Sequence, residues 1–386
     1  MPLRVRTALT PILILLAFGC SDSVTSESCE PGPYFTHLPV DGEAIRYFLV
    51  LGQFNPPGDV FPRGQTGLQL LSPALTPAYA VGDVDVIHVE STHWIASPTR
   101  QGHTDYAVGF RIPECPAITG QYGHLADLEP HLQAELSGAQ CEIYSTIDET
   151  IESCETRLRI PVSAGTVLGQ AGGTITGLDF DLFDDRVTFD YVAAHRYPMA
   201  WRAICPQPLF VPPLRDFLLE RTGRGETVRT AEPRCGTMEI DLPGTAQGMW
   251  TEEGHDLVLG HTTYDRFFAL APDDIRPDQF NILVTAHPAF AVDPHGHVIF
   301  AFEYQPEGRL NRRFADLPAD GTLFCYEPVR EHPDYFRAHG ISFLFALGAD
   351  ERVTVERRDH AWDGSPCTNE SPETWAFSEA AVRLMR

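Results

Sequence analysis

Glycine and proline interrupt this chain throughout, 31 of one and 32 of the other in 386 residues. In a helix interior, glycine costs about 1 kcal/mol relative to alanine and proline about 3 kcal/mol. A chain broken this often has room for short strands and for few long helices. The segments between the breaks agree with that constraint. Residues 44–54 are apolar and aromatic, and residues 78–89 and 105–112 alternate apolar with polar side chains, which is the period of a half-buried strand. In the second half, residues 279–287 and 297–304 are expected to pair as one hairpin, and residues 340–347 and 352–358 as another. Strands at this spacing indicate a β-sandwich or barrel. Helical periodicity is confined to residues 212–221, which open on two prolines, and more weakly to residues 125–137. A hydrophobic content of 43% is enough for more than one core, and at about 100–200 residues per domain the length allows two. The expected boundary lies near residues 195–210, around Cys205-Pro206-Gln207-Pro208, and no repeat relates the two halves.

The formal net charge is -25, and the chain has no lysine, so every basic side chain other than histidine is arginine. Nucleic-acid affinity comes mostly from cations on phosphates, so this acidity speaks against a nucleic-acid partner and against docking by charge on an anionic lipid surface. The absence of lysine excludes a Gly-x-x-x-x-Gly-Lys phosphate loop, and no Gly-x-Ser-x-Gly elbow for a serine nucleophile occurs.

The N-terminus reads Met-Pro-Leu-Arg-Val-Arg, then an apolar run over residues 8–18, then Gly19-Cys20. A basic start followed by a short apolar run is the pattern of a secretory signal. A membrane-spanning helix needs about 20 apolar residues, more than this run supplies. A small residue followed by Cys20 resembles a bacterial lipobox. The resemblance implies a signal peptide over residues 1–19, lipid on the Cys20 sulfur, and an exported protein anchored at the outer membrane and facing the periplasm. Residues 20–43, rich in Ser, Pro and Gly, read as a tether.

Nine cysteines less Cys20 leave eight: Cys29, Cys115, Cys141, Cys154, Cys205, Cys235, Cys325 and Cys367. An even number in an exported chain reads as a disulfide set, although eight allow about 105 connectivities. Expected pairs are Cys141–Cys154, Cys205–Cys235 and Cys325–Cys367. No Cys-x-x-Cys is present to support a thiolate metal or redox site.

Three segments of the first half, in order, resemble the lysostaphin/LytM-type zinc endopeptidases that cut peptidoglycan cross-links. The first is Gly64-Gln65-Thr66-Gly67-Leu68-Gln69, followed by Thr76-Pro77-Ala78-Tyr79-Ala80 and Gly82-Asp83. The second is Asp105-Tyr106-Ala107-Val108 with Gln121-Tyr122-Gly123-His124-Leu125. The third is Val162-Ser163-Ala164-Gly165-Thr166-Val167-Leu168-Gly169 with Thr176-Gly177-Leu178-Asp179-Phe180-Asp181. The family's fold is a twisted antiparallel sheet with the site in a groove. The resemblance therefore implies such a domain over residues 44–195, followed by a β-rich second domain over residues 205–386.

The departures from the family pattern fall on its chemistry. The family's zinc ligands correspond to Gln65, Gln69 and Asp181, and its catalytic histidine to Asp179. The family's Tyr-x-His-Leu histidine is retained, as His124. Zinc sites are built from thiolate, imidazole and carboxylate. Two neutral amides bring no charge and little basicity, so a bound water is not pushed towards a pKa near 7 and the peptidase loses its nucleophile. No cofactor is expected on this reading, with zinc or another divalent metal as the alternative. The implied function is a non-catalytic groove that binds peptidoglycan peptides or regulates a partner envelope enzyme. A hydrolase with a rebuilt site is the alternative.

Other residues carry competing readings. Asp179 and Asp181 lie two apart on a strand and share a face; the pair suits acid–base work or a hard cation held through oxygen, or a solvated strand end. His124 reads as a relic base or a hydrogen-bonded groove residue. His88 and Glu90 share a strand face that His93 does not, so the three make no compact ligand set. His295-Gly296-His297 reads as a polar turn. In the second half, Gly244-Thr245-Ala246-Gln247-Gly248-Met249-Trp250 is an odd string for a surface loop. Trp250, Tyr264 and Phe267 are candidates for stacking on a sugar or peptide, or for plugging the end of a barrel. The stacking reading makes the second half a carbohydrate- or ligand-binding module, a third alternative for function.

Overall fold

The computed structural model describes residues 29, 32–53, 64–145, 149–196, 202–255, 267–284, 287, 289–290, 298–329, 340–361 and 364–386. The signal-like segment, Cys20, Tyr264 and His295-Gly296-His297 lie outside the described residues.

The chain is built on two antiparallel sheets. The first takes in β1 (Ile45–Leu49), β2 (Gly67–Leu70), β3 (Thr76–Tyr79), β4 (Val84–Ala96), β5 (Thr104–Ile112), β6 (Cys115–Leu128), β7 (Gln140–Ser145), β8 (Thr150–Val162), β9 (Val167–Ala171) and β10 (Gly177–Asp184). Its order is β1-β2-β10-β6-β5-β4-β8-β7, with β9 joining β3 to β6. Two sequence expectations are corrected here. The expected helix over residues 125–137 begins as strand: β6 runs to Leu128, and the helical part is α1 (Pro130–Glu135) followed by a 3-10 turn (Leu136–Gly138). The expected strand over residues 78–89 is two strands, because the chain turns at Gly82-Asp83, where a Cβ on Gly82 would meet the Tyr34 carbonyl at 2.5 Å.

Alternation places the core. In β10, Leu178, Phe180 and Leu182 are buried with Val108, Phe110 and Tyr122 of the neighbouring strands. The Tyr122 hydroxyl donates to the Tyr79 carbonyl at 2.9 Å and accepts the Val81 N–H at 3.1 Å. Beyond this core comes α2 (Pro212–Leu219), within the expected helix, its prolines filling the first turn where N–H groups have no partner anyway. Phe210 and Leu218, placed by sequence beyond the boundary, pack into the first core.

A two-stranded ribbon of β11 (Gly223–Arg224) and β12 (Thr227–Val228) precedes the second sheet. That sheet contains β13 (Gly248–Glu252), β14 (Phe267–Pro272), β15 (Gln279–Val284), β16 (Val298–Glu303), β17 (Phe324–Tyr326), β18 (Ile341–Leu347), β19 (Val353–Asp359) and β20 (Val382–Met385). Its order, β16-β15-β14-β13-β20-β19-β18-β17, curls into a nearly closed barrel, and the Val329 N–H donates to the Ala301 carbonyl at 2.8 Å across the seam. Both expected hairpins are present: Phe280 faces Phe302, and Leu344 faces Glu356. Every residue of β18 is buried. Its Phe343 and Phe345 enter the aromatic interior, whereas Leu344 packs outside against Cys325, Cys367 and Trp375.

All eight cysteines pair, as Cys29–Cys115, Cys141–Cys154, Cys205–Cys235 and Cys325–Cys367. The three expected pairs are among them. Cys141 and Cys154 sit directly opposite on β7 and β8.

Candidate functional site

On the solvent-side face of β2, β10 and β6, the residues singled out from sequence fall into neighbouring rows. Asp179 pairs with Gly67 on one side and with Gly123 on the other. It therefore stands between two residues without side chains. A Cβ on Gly123 would lie 3.2 Å from Asp179 Cβ, and one on Gly67 would lie 3.4 Å from Asp179 Oδ1. The row is a slot with a carboxylate on its floor. One row along, Asp181 pairs with Gln121, and continuing the β2 register brings Gln65 to its other side. Asp181 is buried and its Oδ1 accepts the Thr66 N–H at 2.9 Å. One row the other way, Gln69 pairs with Gly177.

His124 enters the slot because β6 bulges there. Tyr122 pairs with Val108 and Leu125 with Tyr106, so Gly123 and His124 together face Ala107. Such a bulge bends the strand and re-aims a side chain. His124 has φ 60°, in the left-handed region that costs an L residue about 1–2 kcal/mol. The bulge points the ring between two carboxylates. Nδ1 lies 2.5 Å from Asp105 Oδ2, and Nε2 lies 3.4 Å from Asp179 Oδ2. An imidazole held this way between two acids is fixed in orientation, each ring nitrogen facing a carboxylate.

The array continues toward the turn between β4 and β5. His103 Nε2 is 3.8 Å from Asp105 Oδ1, and the His103 ring stacks on Trp94 at 5.7 Å between centroids. Arg100 lies over the Trp94 ring at 5.1 Å. Asp105, His103 and Trp94 were not picked out as site residues from sequence. The legible signal was weak: His103 and Asp105 are two apart, which on a strand puts them on one face.

Zinc, implied by the family resemblance, does not fit these residues. Gln69 Nε2 donates to the Thr176 carbonyl at 2.7 Å and to the Thr176 hydroxyl at 2.9 Å. Asp181 serves the Thr66 backbone. Neither amide carries charge, and among the described residues no group of three or more His, Cys, Asp or Glu side chains is placed to hold an ion.

The other candidates are dispersed. Glu90 accepts the Ser153 hydroxyl at 2.9 Å, His93 Nδ1 meets the Thr104 hydroxyl at 2.8 Å, and His88 lies in a separate cleft on the same sheet. Trp250 and Phe267 are wholly buried, so neither ring offers a face to a ligand in this structure. Trp250 Nε1 donates to the Ala246 carbonyl at 3.0 Å, and the Arg386 guanidinium lies over its ring at 4.4 Å. The odd string around it has a structural reason. Gly248 lies against Asp241, and a Cβ there would come within 2.0 Å of Asp241 Oδ1. That carboxylate pairs with Arg386 at 3.2 Å.

No family model matches the chain, and no curated protein matches it.

Proposed function

We propose that this is a lipid-anchored envelope protein whose first sheet is a non-catalytic peptide-binding groove of lysostaphin/LytM type, taking peptidoglycan stem peptides or a peptide of a partner envelope enzyme. One observation carries the reading. The positions at which the family keeps its metal and its base are grouped on one face, yet each is engaged within the protein: Gln69 on Thr176, Asp181 on Thr66, and His124 on Asp105 and Asp179. What the slot offers a ligand is a carboxylate flanked by glycines and bordered by amide side chains. Those groups suit the N–H donors and ammonium groups of an extended peptide. The four disulfides are in keeping with an oxidising compartment outside the cytoplasm.

The test is co-sedimentation of the purified protein with peptidoglycan sacculi. Saturable binding that weakens about tenfold in Asp179→Asn is expected, the effect of losing one charge-assisted hydrogen bond. Binding unchanged by that substitution removes the groove from the argument. The strained backbone of His124 favours one second reading, a working hydrolase with a rebuilt site around His124, Asp179 and Asp181. Release of muropeptides by the wild type, lost in His124→Ala, decides for it.

A further inference from the structure

The first sheet holds a second concave site, on β4, β5 and β8, distinct from the Asp179 slot. It is a cleft of about 700 Å³ whose lining includes Asp85, His88, Arg111, Arg157, Leu158 and Arg159. That volume is in the range of small-molecule sites.

The pairing explains how the cleft is made. Asp85 pairs with Arg111 across β4 and β5, while His88 pairs with Gly109 on one side and Arg157 on the other. A bulge between Val86 and His88 keeps these side chains on one face. Gly109 supplies the depth. Its missing side chain is where the His88 ring lies, since a Cβ there would come within 1.9 Å of His88 Cε1. The floor is therefore an imidazole laid flat on backbone, with Leu158 and two prolines, Pro113 and Pro116, as apolar wall.

Three arginines line this cleft, at its solvent side, in a protein of net charge -25. Arg159 is held on Asp85, with Nε and Nη2 each 2.9 Å from Oδ2. Arg157 Nε is 3.3 Å from Glu155 Oε1. Arg111 is exposed, and among the described residues its side chain has no carboxylate partner. Burial holds the His88 imidazole below its usual range, against the pull of Glu155 and Glu90 and with the help of Arg157, so the ring is uncharged at neutral pH. Three cations thus face two carboxylates, Asp85 and Glu155, across an apolar floor. The balance of one positive charge is neutralised by a single carboxylate, and a second negative charge on the ligand would be left uncompensated. A planar carboxylate also matches the guanidinium fork bidentately.

We propose that this cleft is a binding site for a small organic monocarboxylate with an apolar body, its carboxylate taken by Arg111 and Arg157 and its body laid over His88 and Leu158. The site is independent of the peptide groove.

Benzoate, its neutral isostere benzamide and the cation benzylamine are the probes, titrated into the full chain and followed through the His88 ring protons by NMR. Saturable benzoate binding that shifts His88 is expected, with benzamide and benzylamine at least about tenfold weaker, the cost of losing one charge-assisted contact. Arg111→Ala should weaken benzoate by a similar factor. Arg111 is on the surface, so the variant should fold, and an unchanged urea-unfolding midpoint would confirm that. Three outcomes overturn the proposal: no saturable benzoate binding, equal binding of benzamide, or benzoate affinity unaffected by both Arg111→Ala and Arg157→Ala.

Discussion

In the first sheet, the central strands turn one face into a shared core and keep ionisable side chains on the other; in the second sheet, both faces are covered. The barrel interior is filled by Phe280, Phe302, Phe314, Tyr326, Phe343 and Phe345, some edge to face, as Phe280–Phe314 at 5.1 Å and Tyr326–Phe345 at 5.0 Å, and some stacked, as Phe280–Phe302 at 5.5 Å. Its outer faces are covered by the Tyr191 and Met249 cluster and by the Cys325–Cys367 cluster with Trp375. The same antiparallel ladder thus serves two ends. A strand covered on both sides reads as a continuous apolar run, as in Ile341–Leu347, and has no side chain left for a ligand. A strand covered on one side, as in Gly177–Asp184, can hold Asp179 beside glycines and near a bent histidine. The difference teaches where to look for function in this chain: on the half-covered sheet.

The sharpest way to break that comparison is Trp250→Ala. If the barrel is a sealed structural core, removing a wholly buried indole should cost about 3–5 kcal/mol in urea unfolding. A cost under about 1 kcal/mol would mean the ring is dispensable and the second sheet is free for other work. Next in size is the double substitution Cys29→Ala and Cys115→Ala, which opens a bridge spanning 86 residues. Chain-entropy reasoning gives an upper figure of about 4–5 kcal/mol for a loop of that length, of which bridges typically deliver about 2–4 kcal/mol, measured by the same unfolding.

Asp179→Asn sharpens the contrast differently. It should change stability by less than about 1 kcal/mol, since the side chain is partly exposed and the isostere keeps its shape, while sacculus binding falls about tenfold. The smallest effect is a pH dependence. Because the folded protein holds His88 below its ordinary pKa, the unfolded chain takes up the proton first as pH falls. The stability contributed by the neutral ring is complete above about pH 6.5 and is lost as pH falls through the folded value. His88→Gln should therefore flatten the loss of stability between pH 7 and pH 5, and an unchanged slope would mean that the ring is not held neutral.

Much of the architecture was legible in the residues. The breaks, the alternation and the paired hairpins followed from local periodicity, which depends only on neighbours in the chain. The end of β6 was not: residues 125–137 read as a weak helix because Leu125, Leu128 and Leu132 fall at helical spacing, whereas the first two are held by pairing with β5 and β9 or by core burial. Long-range pairing overrode a local pattern.

The site divides the same way. The residue types themselves are written in the chain: Gln65 and Gln69 are amides whatever surrounds them, and a neutral amide is a poor zinc ligand in any fold. The partners of those residues were decided only by folding. Asp105 and Asp179 are 74 positions apart in sequence, counted from 105 to 179, yet both meet His124 because β5 and β10 flank β6. Gly67, Gly109 and Gly123 are ordinary glycines until a neighbouring strand lays Asp179 or His88 against them. Composition and periodicity set what each strand can be, because they act through the backbone and solvent at short range. Register, bulges and the closing of one sheet against another set what each side chain can do, because those contacts exist only once distant strands have met.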